Sequence, residues 1–354
     1  EDSQTVTINL TKTSSDFTIN LDKVEGYNPY KYEKNTMAYQ IINSAQNPKA
    51  SNSTTLGSEA TTFTSISGAN EHILNTAPDD YGVSYYFRGN VIDNYVSFAA
   101  KIWRIVRING DGSIRLILDD VAKDSSGNVI TTAFNTKTDD NAYVGYMYGT
   151  PGSTTYEATH ENKNDSTVKI AVDKWYEDNL KTNYANYLAD TLFCGDKVPK
   201  YRDGIGTHYT NYGHDGYTLK CANVQEVNYS RYTTTKSTLP NGKETNGNLK
   251  YPIGLLSNDE VTYAGGYRAI NNNKYYLYNS STIFICWLLS PCYYSGSSAR
   301  EWSINGAFGR TESLNVDSST EGYPYTFRPT INLKKDVKFT GTGTSSDPYK
   351  IVTE

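Results

Sequence analysis

Val6, Ile8 and Leu10, and then Phe17, Ile19 and Leu21, alternate apolar with polar positions on either side of Thr13-Ser14-Ser15-Asp16. Period-two alternation around a polar turn predicts a β-hairpin. Met37, Ala38, Ile41 and Ile42 recur at helical spacing and predict a short helix over 36–43. The Ser/Thr/Ala/Gly-rich stretch from Ser44 to Thr64 reads as loop. A strand series begins at Tyr85-Tyr86-Phe87-Arg88, passes Val96 and Phe98, and runs through 102–108. It turns at Asn109-Gly110-Asp111-Gly112 and returns through Ile114, Leu116 and Leu118. Asn-Gly between alternating runs is a strong short-range hairpin signal.

Asp165 or Ser166 can cap a helix running to about Lys181, with Val168, Val172, Trp175 and Leu180 roughly on one side. Tyr184, Tyr187 and Leu188 suggest a second short helical stretch. Residues 196–250 read mostly as loop, and 251–256 as an extended or buried run. Ser257-Asn258-Asp259-Glu260 can cap a brief helix, and 275–278 and 283–289 read as strands. Many short strands, two modest helices and long loops predict the α+β class. We expect an N-terminal hairpin or tether (1–26), one principal domain with loop-rich insertions (27–334) and C-terminal strands or tail (335–354).

The last quarter differs in texture. Trp287-Leu288-Leu289-Ser290-Pro291 and Phe327-Arg328-Pro329-Thr330-Ile331-Asn332-Leu333 are apolar runs. Between them lie Ser298-Ala299-Arg300-Glu301-Trp302, Gly306 and Gly309, in a stretch rich in Ser, Asn, Arg, Asp and Tyr with no period. This reads as a strand frame holding irregular polar and aromatic loops, where recognition is commonly placed. The block resembles the C-terminal part of C-type-lectin-like domains. That superfamily includes the formylglycine-generating (sulfatase-modifying) enzymes and the variable proteins of diversity-generating retroelements. The resemblance implies a C-type-lectin-like domain with short antiparallel strands, an inner Trp and a closing strand such as Phe327-Arg328-Pro329. The whole chain resembles a family of Gram-positive bacterial surface proteins from which no activity carries over. The matching segments are 79–89, 103–112, 141–149 and 343–351.

Composition narrows the classes. Hydrophobic residues, Tyr included, make up 37% and charged residues 20%; Thr, Ser, Asn and Gly fill the deficit, and 32 residues are Tyr. Recurring Tyr, Ile, Val and Thr argue against disorder, which lacks aromatic and β-branched residues. The formal net charge is -5 and no Lys/Arg block stands out, so nucleic acid is not an expected partner. No run of about twenty apolar residues exists to span a membrane. The chain opens on Glu1-Asp2-Ser3-Gln4 without a signal sequence. We therefore expect an extracellular or surface-displayed ectodomain whose signal and anchor lie outside this sequence.

Cys194, Cys221, Cys286 and Cys292 make an even count that fits secretion and disulfides. A Cys194–Cys221 bridge would close a polar loop. A Cys286–Cys292 bridge would need a turn at Ser290-Pro291. Three connectivities are formally open, and buried free thiols are the alternative. Neither pair has zinc-ligand spacing.

Chemical candidates are sparse. The hallmark calcium loops of sugar-binding lectins are absent. Asn109-Gly110-Asp111-Gly112 lacks the bidentate Glu that a calcium loop needs, and Asp79-Asp80 and Asp139-Asp140 read as solvated turns. The four His are His72, His160, His208 and His214; His208 and His214 with Asp203 or Asp215 read as a solvated loop rather than a metal site. No hydrolase motif is present. We therefore expect no enzyme, metal or cofactor, and a protein or glycan ligand held by C-terminal loops. The expected ligand-binding residues are Tyr293, Tyr294, Arg300, Trp302, Asn305, Phe308, Arg310, Glu312, Asn315, Asp317, Tyr323 and Tyr325. Tyr, Trp and Arg are enriched at binding hot spots, and the segment's composition also suits a diversified receptor-binding protein. Trp287 is expected in the core, Trp302 leans that way, and Arg328 reads as a structural fork to carboxylate or backbone oxygens. The alternatives are a cysteine- and metal-dependent oxidase using Cys286 and Cys292, and a module of a surface fibre.

Overall fold

The computed structural model describes residues 32–49, 53–57, 72–195, 217–221, 229–278, 284–318 and 325–353. The hairpin expected at 6–21, the candidate Tyr323, and Asp203, His208, His214 and Asp215 lie outside the described residues.

Helix α1 (Met37–Gln46) starts at Thr36, whose hydroxyl accepts the Tyr39 N–H, and it buries Met37, Ala38, Ile41, Ile42 and Ala45. Strand β1 (Thr55–Leu56) falls inside the stretch read as loop and pairs parallel to β2 (His72–Asp79). β2 and β3 (Gly82–Gly89) form a fully paired hairpin. β4 (Tyr95–Phe98), β5 (Lys101–Ile108) and β6 (Ile114–Leu118) follow as antiparallel neighbours. The Asn109–Gly112 turn closes between β5 and β6 through the Asn109 N–H to Ser113 O bond, with Gly112 at φ +88°.

β7 (Met147–Tyr148) and β8 (Asn164–Asp165) pair around the short helix α2 (Tyr156–His160). Helix α3 (Thr167–Asn179) is capped by Ser166 and buries Val168, Val172, Trp175 and Tyr176. β9 (Phe193–Cys194) pairs with β10 (Arg231–Tyr232), and β11 (Ile253–Gly254) precedes α4 (Asn258–Ala264). In α4 the Ser257 side chain and Glu260 satisfy each other's backbone N–H in a capping box. The chain then makes β12 (Ile285–Tyr294), β13 (Ala299–Asn305), β14 (Arg310–Asn315), β15 (Tyr325–Thr326), β16 (Thr330–Leu333), β17 (Phe339–Thr340) and β18 (Tyr349–Ile351).

β5 is the hub of a ten-stranded mixed sheet. One of its edges pairs with β6, which leads to β16 and β11. The other edge is shared: β4 takes residues 101–104 and β3 takes 107–108. Asn94 fills the fork. Its carbonyl accepts the Ile105 N–H, its Nδ2 donates to Ile105 O, and its Oδ1 accepts from Arg104 Nε. The Asn94 carbonyl and side-chain amide thus replace the missing ladder at Ile105. The closing segment 335–354 supplies β17 and β18, and β18 pairs parallel to β4.

The second sheet runs β14-β13-β12-β15. Trp287 stacks on Tyr325 at 5.3 Å and meets Phe134 edge-on, while Trp103 meets Trp175 at 6.1 Å. Arg328 donates to Leu118 O, Asp119 O and Leu277 O, a fork onto backbone carbonyls at the passage from β15 to β16. The architecture is α+β, dominated by sheet.

Three expectations change. Residues 275–278 form a turn rather than a strand, with the Tyr275 and Tyr276 rings buried. The segment 299–315 is a strand hairpin rather than irregular loop, because β13 alternates Trp302 and Ile304 with polar partners and β14 is held by cross-strand side-chain bonds. Asp79 and Asp80 are buried rather than solvated. Asp79 bonds Arg107, and Asp80 accepts the Cys221 N–H and Asn241 Nδ2.

Cys194 and Cys221 form a disulfide. Cys286 and Cys292 are buried free thiols. Between them β12 bulges against β13, and the six residues cover three to four positions of the partner strand, about 10–13 Å. A disulfide tolerates only about 4.4–6.8 Å between Cα atoms.

Candidate recognition surface

The β13–β14 register separates the expected ligand residues. Arg300 lies opposite Asn315, Trp302 opposite Ser313, Ser303 opposite Glu312, and Asn305 opposite Arg310. The middle of the hairpin is interior. Trp302 is 2% exposed, with the Arg268 guanidinium 5.8 Å from its ring. Asn305 and Tyr325 are also buried, so these three do not form a contact surface. Strand pairing on both sides of β13 and the stacking of Tyr325 on Trp287 put them there.

The remaining described residues gather at the two ends of the hairpin. At the open end, Arg300 donates to Asn315 Oδ1 at 2.9 Å, to Ser313 Oγ at 3.2 Å and to Ser313 O at 2.5 Å. Its guanidinium lies 5.8 Å from the Tyr293 ring. Tyr294 donates its hydroxyl to Asp139 O, and Asp317 is exposed just past β14. Here Arg300 is consumed in stapling the hairpin, so its donors are largely spent within the fold.

The turn end is built differently. Phe308 is 38% exposed, and the Arg310 guanidinium covers its ring at 4.6 Å. Arg310 pairs with Glu312 at 2.6 Å, and Asn305 Nδ2 donates to Glu312 Oε2 at 3.1 Å. Arg310 also donates to Asn271 Oδ1 at 3.1 Å. The 267–272 segment straps the outer edge of β14: the Ala269 N–H donates to Thr311 O, the Thr311 N–H to Tyr267 O, and the Asn272 N–H to Phe308 O. Ile270, 41% exposed, sits in that strap. Gly309 takes φ +59°, and a Cβ there would lie 1.9 Å from Asn272 O, so only glycine lets hairpin and strap close.

Ile270 and Asn271 belong to this surface but were not singled out in the sequence. They precede Phe308 by more than thirty positions, and only the strap's edge pairing with β14 brings them close. No local pattern carries that information.

A second concentration of charge lies inside. Arg107 bonds Asp79 Oδ2 at 2.7 Å and Glu260 Oε1 at 3.1 Å, and Arg115 bonds the same Glu260 oxygen at 2.6 Å. Glu260 Oε2 accepts the Ser257 N–H, and Arg115 also donates to Asn332 Oδ1 and Leu192 O. Burial raises the Glu260 pKa, but Arg115 and Arg107 outweigh it and hold the carboxyl below its ordinary value. The adjoining cavity is about 20 Å³, room for about one water. The charged groups of this network are spent on the fold.

Among the described residues no group of His, Cys, Asp and Glu is arranged to hold a metal. Burial pushes the Cys286 and Cys292 thiols up to about 12, and their separation along β12 keeps them from sharing one ion. No described helix is long and apolar enough to cross a membrane. No protein-family model, no curated protein and no solved structure matches the chain.

Proposed function

We propose that this chain is a non-enzymatic binding protein of the extracellular surface, with a C-type-lectin-like arrangement of the β12–β15 sheet, that docks a protein partner at the turn end of the β13–β14 hairpin. The observation that carries the reading is the exposed Phe308 ring covered by Arg310 and flanked by the strap bearing Ile270. An aromatic and an arginine held by a rigid frame, rimmed by Asn271 and Glu312, have the composition of a binding hot spot. Glu312 and Asn271 hold the Arg310 guanidinium against the Phe308 ring, so the pair presents a fixed flat surface at little entropic cost. The Cys194–Cys221 disulfide fits an oxidising compartment.

The test compares wild type with Phe308→Ala and Arg310→Ala for binding to glycan arrays and to cell-surface proteins, with Val83→Ala as a control at another exposed apolar position. Truncating a hot spot costs at least about 2 kcal/mol, roughly thirtyfold in affinity. Loss in both hairpin variants with Val83→Ala unchanged supports the site. Equal binding by all four proteins refutes it, and a wild-type ligand found only on the glycan array replaces the protein partner with a sugar.

A further inference from the structure

A cavity of about 300 Å³ opens beside the β4–β5 turn. That volume is at the lower end of the range for small-molecule clefts, about 300–1,000 Å³. Ile102, Leu118, Val121 and Trp175 give it an apolar floor, and Lys101 and Asp119 stand on its rim. Asp120 and Asp124 line it too, but both are occupied. Asp120 accepts the Val121 N–H and the Lys123 ammonium, and Asp124 accepts the Ser126 and Asn128 N–H groups and the Asn128 amide.

Three polar groups keep capacity. The Lys101 ammonium makes no ion pair among the described residues and lies 5.6 Å over the Trp175 ring. Asp119 reaches Arg104 through Oδ1 at 3.6 Å, and its side chain is 35% exposed. The Trp175 indole Nε1–H is buried without a hydrogen-bond partner among the described residues. The rim is also preset. Ala99 and Ala100, which turn the chain into Lys101 and Ile102, both sit in the left-handed region at φ +54° and +55°, a conformation alanine rarely adopts. The Asp119 N–H donates to Ile102 O and locks the two rim strands together.

Charge selects among ligand classes. The lining sets Lys101 and Lys123 against Asp119, Asp120 and Asp124, and the Arg104 guanidinium, outside the lining, offsets Asp119, so the cleft carries little net charge to select an ion. An ammonium donor and a carboxylate acceptor above an apolar floor match hydroxyl groups beside a C–H face. We propose that this cleft binds a neutral saccharide of one or two sugar units, with hydroxyls engaged by Lys101 and Asp119 and a ring face laid on Ile102 and Leu118. The site shares no lining residue with the hairpin surface and needs no metal.

Saturation-transfer NMR and titration calorimetry on the whole chain, with a panel of neutral mono- and disaccharides, a primary diamine and a simple dicarboxylate, test this. Lys101→Met and Asp119→Asn are the site variants, Arg310→Ala is the control, and thermal unfolding confirms that each is folded. The expected result is a saccharide that saturates the wild type, binds at least about tenfold more weakly to each site variant, about 1.4 kcal/mol, and binds Arg310→Ala unchanged. No saccharide binding by the wild type, undiminished binding by both folded site variants, or selection of the diamine or dicarboxylate instead would each overturn it.

Discussion

Glu260 holds two buried guanidiniums with one oxygen while its other oxygen caps α4. The substitution Glu260→Gln keeps the shape and removes the charge. Arg107 then retains the Asp79 carboxylate, whereas Arg115 keeps neutral partners alone, among them the Asn332 amide oxygen, the Leu192 carbonyl and the Phe193 ring. Breaking one partner out of a buried pair costs about 3–5 kcal/mol, because the remaining charge is uncompensated. For 354 residues the unfolding entropy is about 0.7 kcal/mol/K, so the midpoint should fall by about 4–7 °C. Ser257→Ala separates the two roles of Glu260, since it removes only the cap, about 1 kcal/mol.

The pH dependence gives an independent sign. The folded pKa of Glu260 is held below its ordinary 4.5 by Arg115 and Arg107 despite burial. A depressed carboxyl contributes stability that is complete above the unfolded pKa and is lost as pH falls through the folded value. The gap between wild type and Glu260→Gln should therefore be full at pH 7 and shrink below about pH 4.5. Urea denaturation at pH 7 and at stepped acid pH reads both quantities. A gap under about 1 kcal/mol at pH 7, or one that stays constant into acid, would refute the view that charge compensation is what Glu260 supplies.

The Cys194–Cys221 bridge spans 27 residues, so Cys194→Ser with Cys221→Ser should cost about 3.5 kcal/mol on the chain-entropy account; unfolding midpoints with and without the bridge check it. Burial places the Cys286 and Cys292 thiols up to about 12. Thiol titration of the native protein at pH 8 should find neither, and titration after denaturation should find both. Rapid native labelling would show β12 to be open. Gly309→Ala should destabilise by at least about 1–3 kcal/mol through left-handed strain, plus displacement of Asn272; hydrogen exchange should rise in 267–272 and 305–312, and unchanged exchange there would separate strap from hairpin.

What the sequence carried was local. Thr36, Ser166 and Ser257 cap the three longer helices because each hydroxyl answers an N–H three residues on. Alternation around Asn109–Gly112 produced β5 and β6, and Phe327-Arg328-Pro329 carried a buried fork. What it did not carry was long range. β2 went unread because its apolar positions do not alternate cleanly and Pro78 interrupts them, yet pairing along the whole of β3 makes it a strand. The β13–β14 hairpin read as loop because its polar positions satisfy one another across strands. Arg300 with Ser313 and Asn315, and Asn305 with Glu312, are partnerships separated by seven to fifteen positions.

The same cause explains the site. Of the expected contact residues, strand burial withdrew Trp302, Asn305 and Tyr325. The strap added Ile270 and Asn271 through three backbone bonds, which any residue type could make. Composition can mark a segment as suited to recognition. Which of its side chains face outward depends on strand register, and register slips by one residue turn a surface inside out. The alternation of Arg300, Trp302 and Ile304 on one face and Glu301, Ser303 and Asn305 on the other is therefore the quantity to disturb. A single residue inserted between Asn305 and Gly309 should shift the pairing with β14 and abolish docking while leaving the ten-stranded sheet folded. Retained docking with a shifted register, seen by cross-strand NOEs, would mean that composition rather than geometry makes the surface.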